Sequence, residues 1–222
     1  MAGELLDKPH AVIVDMGAGD GQMRRYCIDS MASISVGYPF ESQHWTGLDM
    51  SRSQELTRAG YQEIIECDFN RTLPLKSGSV NLLVCIHVME HLLCPEFTMA
   101  EIARVLAPGG VFCGGSPTAP SIVSYFLHRR LRRKMRNGTV GPNGHINSLC
   151  PDDWKRLVRG SGLTLDFLSG SHFMRLSGSI LEDSKAWVKC NLFFGGIAPS
   201  LGSEVYLLAR KNLQMNASQE ID

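Results

Sequence analysis

The sequence predicts an α/β fold: a seven-stranded, mostly parallel sheet with helices on both faces and an antiparallel edge strand. Three observations lead to this prediction. Short apolar runs alternate with helix-like segments along most of the chain, which is typical of parallel sheets. A glycine-rich turn follows the first apolar run. The last two apolar runs have no long helix pattern between them, which predicts an antiparallel pair at one edge.

Each element follows from its local pattern. Strands are predicted at seven apolar runs, residues 11–15, 44–49, 63–68, 79–86, 110–114, 164–169 and 204–210. Helices are predicted between them, at residues 22–33, 51–59, 94–105 and 151–160. Strands and helices that alternate in this order indicate a Rossmann-like sheet.

Composition limits the function. The 222 residues can fill one core, and we expect one domain over residues 1–212, an insertion at about 117–144 and a polar tail at 213–222. Basic and acidic residues number 22 each, so net charge does not indicate a nucleic-acid or membrane partner. Seven scattered cysteines without a CxxC pair favour reduced thiols in a cytoplasmic protein and no metal site. No signal peptide or membrane span is expected.

A glycine-rich turn, VDMGAGDG, separates the first predicted strand from the first helix. Gly17, Gly19 and Gly21 allow positive φ and the close approach of a ligand to the backbone. The dinucleotide pattern G-x-G-x-x-G fails because position 22 is Gln22, and the P-loop pattern is absent. Asp15 would repel a pyrophosphate, but it suits a cationic ligand. A tight turn without any ligand is the alternative.

Two further carboxylates follow predicted strand ends. Asp49 ends the second strand, where a carboxylate can accept two hydrogen bonds from ribose hydroxyls. Its alternative role is a helix N-cap, which Ser51 could also supply. Asp68 follows the third strand and can accept from an exocyclic amine, while Phe69 offers an apolar face and a backbone N–H. A turn-forming aspartate is the alternative at Asp68.

The order of these segments resembles the class I S-adenosylmethionine-dependent methyltransferases, in particular the small ones similar to ubiquinone-biosynthesis methyltransferases. The matching segments are VDMGAGDG, GLDMS, ECDFNRTLPLKSGSVNLLVCIHVMEHL and EIARVLAPGGVF, and HINSLCPDDWKRLVRGSGL extends the match to residue 163. The resemblance implies S-adenosyl-L-methionine as the cofactor. The chain departs from the family in the extended piece SISVGYPFESQ and in having only ten residues before the first strand.

The resemblance also implies residue roles. The implied cofactor-binding residues are Asp15, Gly17, Ala18, Gly19, Gly21, Asp49, Met50, Asp68, Phe69, Ile86 and His87. The glycine turn would pass beneath the methionine part, Asp15 would hold the ammonium, and Asp49 would hold the ribose. Met50 and Phe69 would contact adenine, and Asp68 would accept from its amine. The Ile86 carbonyl, with His87 beside it, would face the ammonium and the transferring methyl.

Methyl transfer from a sulfonium needs in-line placement of the acceptor, and it needs a base only when the acceptor must lose a proton. The candidate catalytic residues are His87, at the end of the fourth strand, and His145, after the insertion, because histidine titrates near neutral pH. Satisfied loop histidines are the alternative for both. His91, in MEHL, is interpreted as structural.

The insertion predicts a basic amphipathic helix at residues 121–136. Its apolar residues fall near helical spacing, and six arginines and lysines lie within residues 129–136. Such a helix is typical of a membrane-surface element or an anion-binding lid, and a solvated lid helix is the alternative. A second apolar stretch, AWVKCNLFFGGIAP, could widen the acceptor pocket or touch lipid.

The predicted function is therefore a methyltransferase for a small-molecule, sugar or lipid-linked acceptor, which an anionic group would suit. Peripheral membrane contact through the basic helix is part of this hypothesis. The alternative is a catalytically inactive subunit that binds the nucleoside and acts as a partner protein. A nucleic-acid acceptor is disfavoured, because Ile86-His87-Val88-Met89 replaces the Pro-Pro-Tyr-type tetrapeptide of amino-methylating enzymes.

Overall fold

The computed structural model describes residues 10–32, 39–139, 144–171 and 184–213. The seven strands are β1 (Val12–Met16), β2 (His44–Asp49), β3 (Glu63–Glu66), β4 (Val80–Ile86), β5 (Leu106–Pro117), β6 (Leu163–Ser171) and β7 (Glu204–Lys211). The α-helices of the described residues are α1 (Gln22–Ala32), α2 (Gln54–Arg58), α3 (Pro95–Val105), α4 (Ser121–Arg136), α5 (Pro151–Gly160) and α6 (Lys185–Ile197). The predicted polar tail lies, from residue 214 onward, outside the described residues.

The predicted sheet is confirmed. Its strand order is β3-β2-β1-β4-β5-β7-β6. The first five strands in this order pair in parallel with their neighbours. β7 runs antiparallel to both β5 and β6, so the reversed strand lies second from the edge. In the sheet, β2 lies on one side of β1 and β4 lies on the other, so the strand order reverses at β1. In such sheets a crevice for ligands forms where the strand order reverses, outside the carboxyl ends of the strands.

Side chains on the two faces of the sheet enter two hydrophobic clusters. Val14 and Leu83 belong to the larger cluster, which also contains Trp154 of α5. Their neighbours Ile13 and Leu82 belong to the second cluster, on the opposite face. Successive strand residues point to opposite faces, so the near-continuous apolar runs reflect strands that are buried on both sides.

The sequence prediction failed between the last two strands, where the structure contains α6. The apolar stretch was recognised, but its helical conformation was not. The helix has no regular polar face and contains two consecutive glycines, Gly195 and Gly196. Gly195 is buried, and a Cβ there would approach the Cα of Ser171 to 2.9 Å. Close packing against β6, and not amphipathic periodicity, therefore accounts for this helix.

Three smaller predictions concern the basic helix, the start of α2 and the cysteines. The basic helix predicted at residues 121–136 is confirmed as α4. The N-cap of α2 is Ser53, whose hydroxyl accepts from the Leu56 N–H at 2.9 Å, and not Ser51. All seven cysteines carry free thiols. Within the described residues, no helix combines the length and the apolar character needed to cross a bilayer.

Candidate functional site

A cavity of about 680 Å³ lies at the carboxyl ends of β1 and β4, where the strand order reverses. Its wall combines the glycine turn, the start of α1, the end of β4 and single residues of β5 and β7. The lining residues are Asp15, Gly17, Ala18, Gly19, Asp20, Gln22, Met23, Tyr26, Ile86, His87, Cys113 and Tyr206. The structure thus brings together six of the residues predicted from the sequence: Asp15, Gly17, Ala18, Gly19, Ile86 and His87.

The three glycines of the turn serve different purposes. All have positive φ, at 81°, 55° and 80° for Gly17, Gly19 and Gly21. A Cβ on Gly17 would meet Val88 Cγ2 at 2.3 Å, and one on Gly21 would meet Ala59 Cβ at 2.2 Å. A Cβ on Gly19 would have only the Gly17 carbonyl oxygen nearby, at 3.9 Å. Packing requires the outer glycines, whereas Gly19 leaves open the space beside the cavity.

Asp15 is a buried carboxylate on the cavity wall, with 3% of its surface exposed. Burial raises its pKa from 3.8 to about 6; the hydrogen bond from Tyr61 opposes this rise, and the nearby charge of Asp49 adds to it. The Tyr61 hydroxyl donates to Asp15 Oδ2 at 2.6 Å. Burial and the negative charge of Asp15 also raise the pKa of Tyr61, which therefore stays a donor. Tyr61 was not predicted as a site residue, because it follows α2 and has no motif around it.

Asp49 connects the end of β2 to the glycine turn. Its Oδ2 accepts from the Gly19 N–H at 2.8 Å, and its Oδ1 accepts from the Ser51 N–H at 3.3 Å. The first bond crosses from β2 to the turn after β1 and fixes the carboxylate against the backbone that borders the cavity. Asp49 does not itself line the described cavity.

The remaining predicted cofactor residues lie on the side of β2 and β3, outside the described cavity. Met50 is exposed, whereas the ring of Phe69 is buried in the larger hydrophobic cluster. Asp68 accepts from the backbone and side-chain amides of Asn70 at 2.9 and 3.0 Å. These two bonds lower the pKa of Asp68. Asp68 therefore makes the local turn that was its alternative role, and its second oxygen, Oδ2, lies 3.6 Å from Arg71 Nε.

His87 has the only positive φ among the described non-glycine residues, at 58°. Its N–H donates to the Gly115 carbonyl at 2.9 Å, and its Nδ1 lies 3.5 Å from Glu90 Oε1. Strained backbone of this kind persists where surrounding contacts hold it, and it clusters at functional sites. The arrangement keeps the imidazole at the cavity wall with a carboxylate behind it.

His145 lies apart from the cavity lining, beside His91. Their ring centroids are 4.8 Å apart, with the rings nearly perpendicular. His91 Nε2 lies 4.0 Å from Glu90 Oε1. Of the two candidate catalytic histidines, only His87 lines the described cavity.

The aromatic residues of the cavity were not predicted. Tyr26 comes from α1 and is 66% exposed. Tyr206 comes from β7, and its hydroxyl donates to Glu204 Oε2 at 2.6 Å. Tyr206 pairs with Gly115 across the β5–β7 ladder. Only the register of an antiparallel strand places it at the cavity, and no local sequence signal encodes that register.

A second cavity, of about 490 Å³, lies between α3, α4 and α5. Charged side chains of both signs line it, including Glu96, Arg132 and Asp152. The glycine turn and the end of β4 do not contribute to it. The cavity beside the glycine turn is therefore the candidate cofactor site.

Comparisons with known proteins give one family and many similar folds. The sequence model of a family described as "Methyltransferase domain" matches residues 2–166. No curated protein sequence matches the chain significantly. Among solved structures, a Bacillus halodurans protein assigned as a methyltransferase is 16% identical, with a TM-score of 0.61 over 92% of this chain and 94% of that chain.

Two further structures have related folds. One is a chain of the complex between the Haloferax volcanii Trm112 methyltransferase activator and a methyltransferase, with 17% identity, a TM-score of 0.59 and coverage of 97% and 90% of the two chains. The other is a geranyl diphosphate methyltransferase in complex with GPP and sinefungin, with 15% identity, a TM-score of 0.54 and coverage of 95% and 76%. Similarity at this level of identity concerns the fold.

Proposed function

Because the chain belongs to the methyltransferase domain family, we propose that it transfers a methyl group from S-adenosyl-L-methionine to a small, amphiphilic acceptor. The cofactor supplies a methyl group on a sulfonium that is already activated for displacement. The observation that carries the proposal is the open space beside Gly19, which lines the same cavity as Asp15 and donates its N–H to Asp49. A volume of about 680 Å³ is ordinary for a small-molecule site.

The charges at this site fit the cofactor better than a phosphate ligand. Asp15 is buried on the wall, and its raised pKa reflects the energetic cost of a buried negative charge, which the hydrogen bond from Tyr61 offsets only in part. An ammonium group placed nearby would offset that cost. Asp49 would accept from ribose hydroxyls while it holds the Gly19 N–H. A pyrophosphate at the same position would face two carboxylates.

The other predicted residues keep their proposed roles on either side of these two acids. Ile86 and His87 would border the ammonium and the methyl, since both line the cavity. Met50 and Asp68 would contact adenine from the side of β2 and β3, and Phe69, whose ring is buried, would contribute its backbone N–H. Gly17 and Gly21 would act through packing of the turn.

The chain would contribute placement and proton transfer. Holding the acceptor in line with the methyl and excluding water supplies much of the rate. His87 would take a proton from an acceptor hydroxyl, and Glu90, 3.5 Å away, would stabilise the imidazolium that forms. A base at this position matters only for acceptors that must lose a proton.

An amphiphilic acceptor is supported by exposed side chains near the same edge of the sheet. The Thr118 N–H donates to the Ser203 carbonyl at 2.8 Å, which joins the segment before α4 to the segment after α6. Both helices expose large apolar residues, namely Ile122, Val123, Tyr125, Phe126 and Leu127 on α4, and Leu192, Phe193, Phe194 and Ile197 on α6. Extensive exposed apolar surface is typical of ligand or membrane contact.

The positive charge of the second half of α4 suggests that the polar part of the acceptor is anionic. Arg130, Arg133, Lys134 and Arg136 are exposed there in a chain of zero net charge. Arg132 donates to the Leu93 carbonyl at 3.0 Å and so ties the helix to the loop before α3. We therefore favour an acceptor with an apolar part and an anionic group, such as a lipid-linked sugar, with α4 in contact with an anionic membrane surface.

The test of the proposed function is titration with S-adenosylhomocysteine. Gly19→Val would fill the open space and should abolish binding, whereas the wild type binds. The matched control is Gly78→Val, since Gly78 also has a positive φ, at 69°, and open surroundings, but lies away from the cavity. Equal binding by both variants, or no binding by the wild type, would contradict the proposal. Turnover with extracted lipids and sugars then separates an enzyme from a nucleoside-binding subunit.

A further inference from the structure

A cluster of metal-ligating side chains lies behind the cavity wall. Glu90, His91 and His145 each offer one ligand atom, and these atoms all lie within 4.8 Å of one another. Glu90 and His91 belong to the short 3-10 helix after β4, whereas His145 comes from the segment before α5. The fold therefore brings them together from two distant parts of the sequence.

Glu90 provides an independent reason to expect a ligand. Its side chain is 2% exposed, and neither carboxylate oxygen has a hydrogen-bond partner among the described residues. Its Oε1 lies 3.5 Å from His87 Nδ1 and 4.0 Å from His91 Nε2, beyond good hydrogen-bond length. Burying a carboxylate without partners is costly, and such groups are usually paired or coordinate a metal.

The orientation of His91 suits coordination. Its Nδ1 lies 3.3 Å from the Gly144 carbonyl oxygen, an arrangement that favours a proton on Nδ1. The lone pair is then on Nε2, the nitrogen on the side of Glu90. Metal-ligating histidines commonly donate their other ring N–H to a backbone carbonyl or a carboxylate in this way.

The backbone around the cluster is held firmly. The N–H groups of Ile146 and Asn147 both donate to the Glu90 carbonyl at 2.9 Å. The Asn147 side-chain amide donates to the carbonyls of Met89 and Leu92, at 3.3 and 2.5 Å. These four bonds fix the backbone next to His145 against the helix that carries the other two residues.

We propose that Glu90, His91 and His145 form a binding site for a divalent first-row transition-metal ion, with Zn²⁺ as the best match. Two imidazoles and one carboxylate are a typical donor set for Zn²⁺, and such three-ligand sites keep a fourth position for water or substrate. His145 is exposed, so this fourth position is accessible. The scattered cysteines gave no sequence signal for such a site, because its ligands are histidines and a glutamate.

The site adjoins the proposed methyl-transfer cavity through one carboxylate. Glu90 faces both His91 in the cluster and His87 at the cavity wall. A bound cation would lower the pKa of a water or acceptor hydroxyl in its open position. Binding of the ion itself does not rest on the proposed function, because it can be measured without cofactor or acceptor.

The test is calorimetric titration of the chelator-treated protein, residues 1–222, with Zn²⁺, and separately with Mn²⁺ and Mg²⁺. We expect one Zn²⁺ per chain, weaker Mn²⁺ binding, and an affinity at least tenfold lower in Glu90→Gln and in His145→Ala. The control is His44→Ala, since His44 is exposed at the start of β2 and its loss should leave the affinity unchanged. A second control, Cys94→Ser with Cys190→Ser, removes the two exposed thiols.

Thermal unfolding gives a second readout that keeps the variants interpretable. In chelator, Glu90→Gln should melt no lower than the wild type, since it removes an unpaired buried charge. Zn²⁺ should then raise the melting temperature of the wild type, of His44→Ala and of the thiol variant, and raise that of the two ligand variants much less. The proposal is overturned if the wild type binds none of the three ions, if both ligand variants keep full affinity, or if the thiol variant alone loses binding.

Discussion

Replacing Asp15 with asparagine removes a buried charge that the fold holds at an energetic cost. The pKa of Asp15 is raised from 3.8 to about 6, with burial as the main cause. One pKa unit corresponds to about 1.36 kcal/mol, so ionised Asp15 lowers the free energy of unfolding by about 3 kcal/mol at pH 7. This destabilisation is absent below pH 3.8, grows as the pH rises toward 6 and is constant above that, because the folded state binds the proton more tightly.

The assay compares urea unfolding of the wild type and Asp15→Asn at several pH values. The unfolding free energy of the variant minus that of the wild type should increase by about 2 kcal/mol from pH 4.5 to 7.5. The amide also changes the bond with Tyr61, but that contribution shifts the whole curve and not its slope. A difference that stays flat across this range would refute the raised pKa and the reasoning from burial.

The same substitution should act in the opposite direction on ligand binding. At pH 7.5, Asp15→Asn should bind S-adenosylhomocysteine more weakly than the wild type, since the ligand ammonium loses its counter-charge. Wild-type affinity should also fall as the pH drops below about 6, where Asp15 takes up a proton. Unchanged affinity in the variant would place the ammonium elsewhere.

Two further predictions concern Asp49 and α4. Asp49→Ala should weaken S-adenosylhomocysteine binding by roughly 1.5–3 kcal/mol, about ten- to a hundredfold in a titration, since charge-assisted hydrogen bonds are lost; unchanged affinity in the folded variant would contradict its role. Replacing Arg130, Arg133 and Arg136 with glutamine should reduce pelleting with anionic vesicles, most clearly at low salt, and leave S-adenosylhomocysteine affinity intact. The matched control removes three positive charges elsewhere, at Arg58, Lys76 and Arg159. Equal loss in both triple variants would indicate attraction by net charge alone.

Local patterns predicted the parallel part of the sheet well, because buried strands and the helices between them leave repeated apolar signals. Helix α6 was not predicted, because it packs through Gly195 and has no regular polar face that a sequence pattern would show. The motif also could not show which glycines are needed for packing and which one borders the ligand space. Gly17 and Gly21 are needed because a Cβ would clash with Val88 and Ala59, and these contacts exist only in the folded protein.

The candidate site was predicted where its residues lie beside the glycine turn or at a strand end. Asp15, Gly19 and His87 were found in this way. Tyr61 and Tyr206 were not, because each reaches the site through tertiary structure, one by a bond to Asp15 and the other by antiparallel register. Glu90 was not predicted as a site residue, because nothing in the local sequence indicates that its side chain is buried.

Because β7 comes last in the chain but pairs with β5 inside the sheet, the sheet is incomplete during most of synthesis. A ribosome completes β1 to β5 before it has synthesised residues 204–211, so β5 emerges with an unpaired edge. Unpaired edges can join other chains, and nascent domains are exposed to such misassembly. The wall formed by Tyr206 is also missing until that strand arrives. A nascent chain that stalls before residue 204 would therefore expose an unpaired β5 edge that can associate with other chains, and its cavity would lack the wall formed by Tyr206.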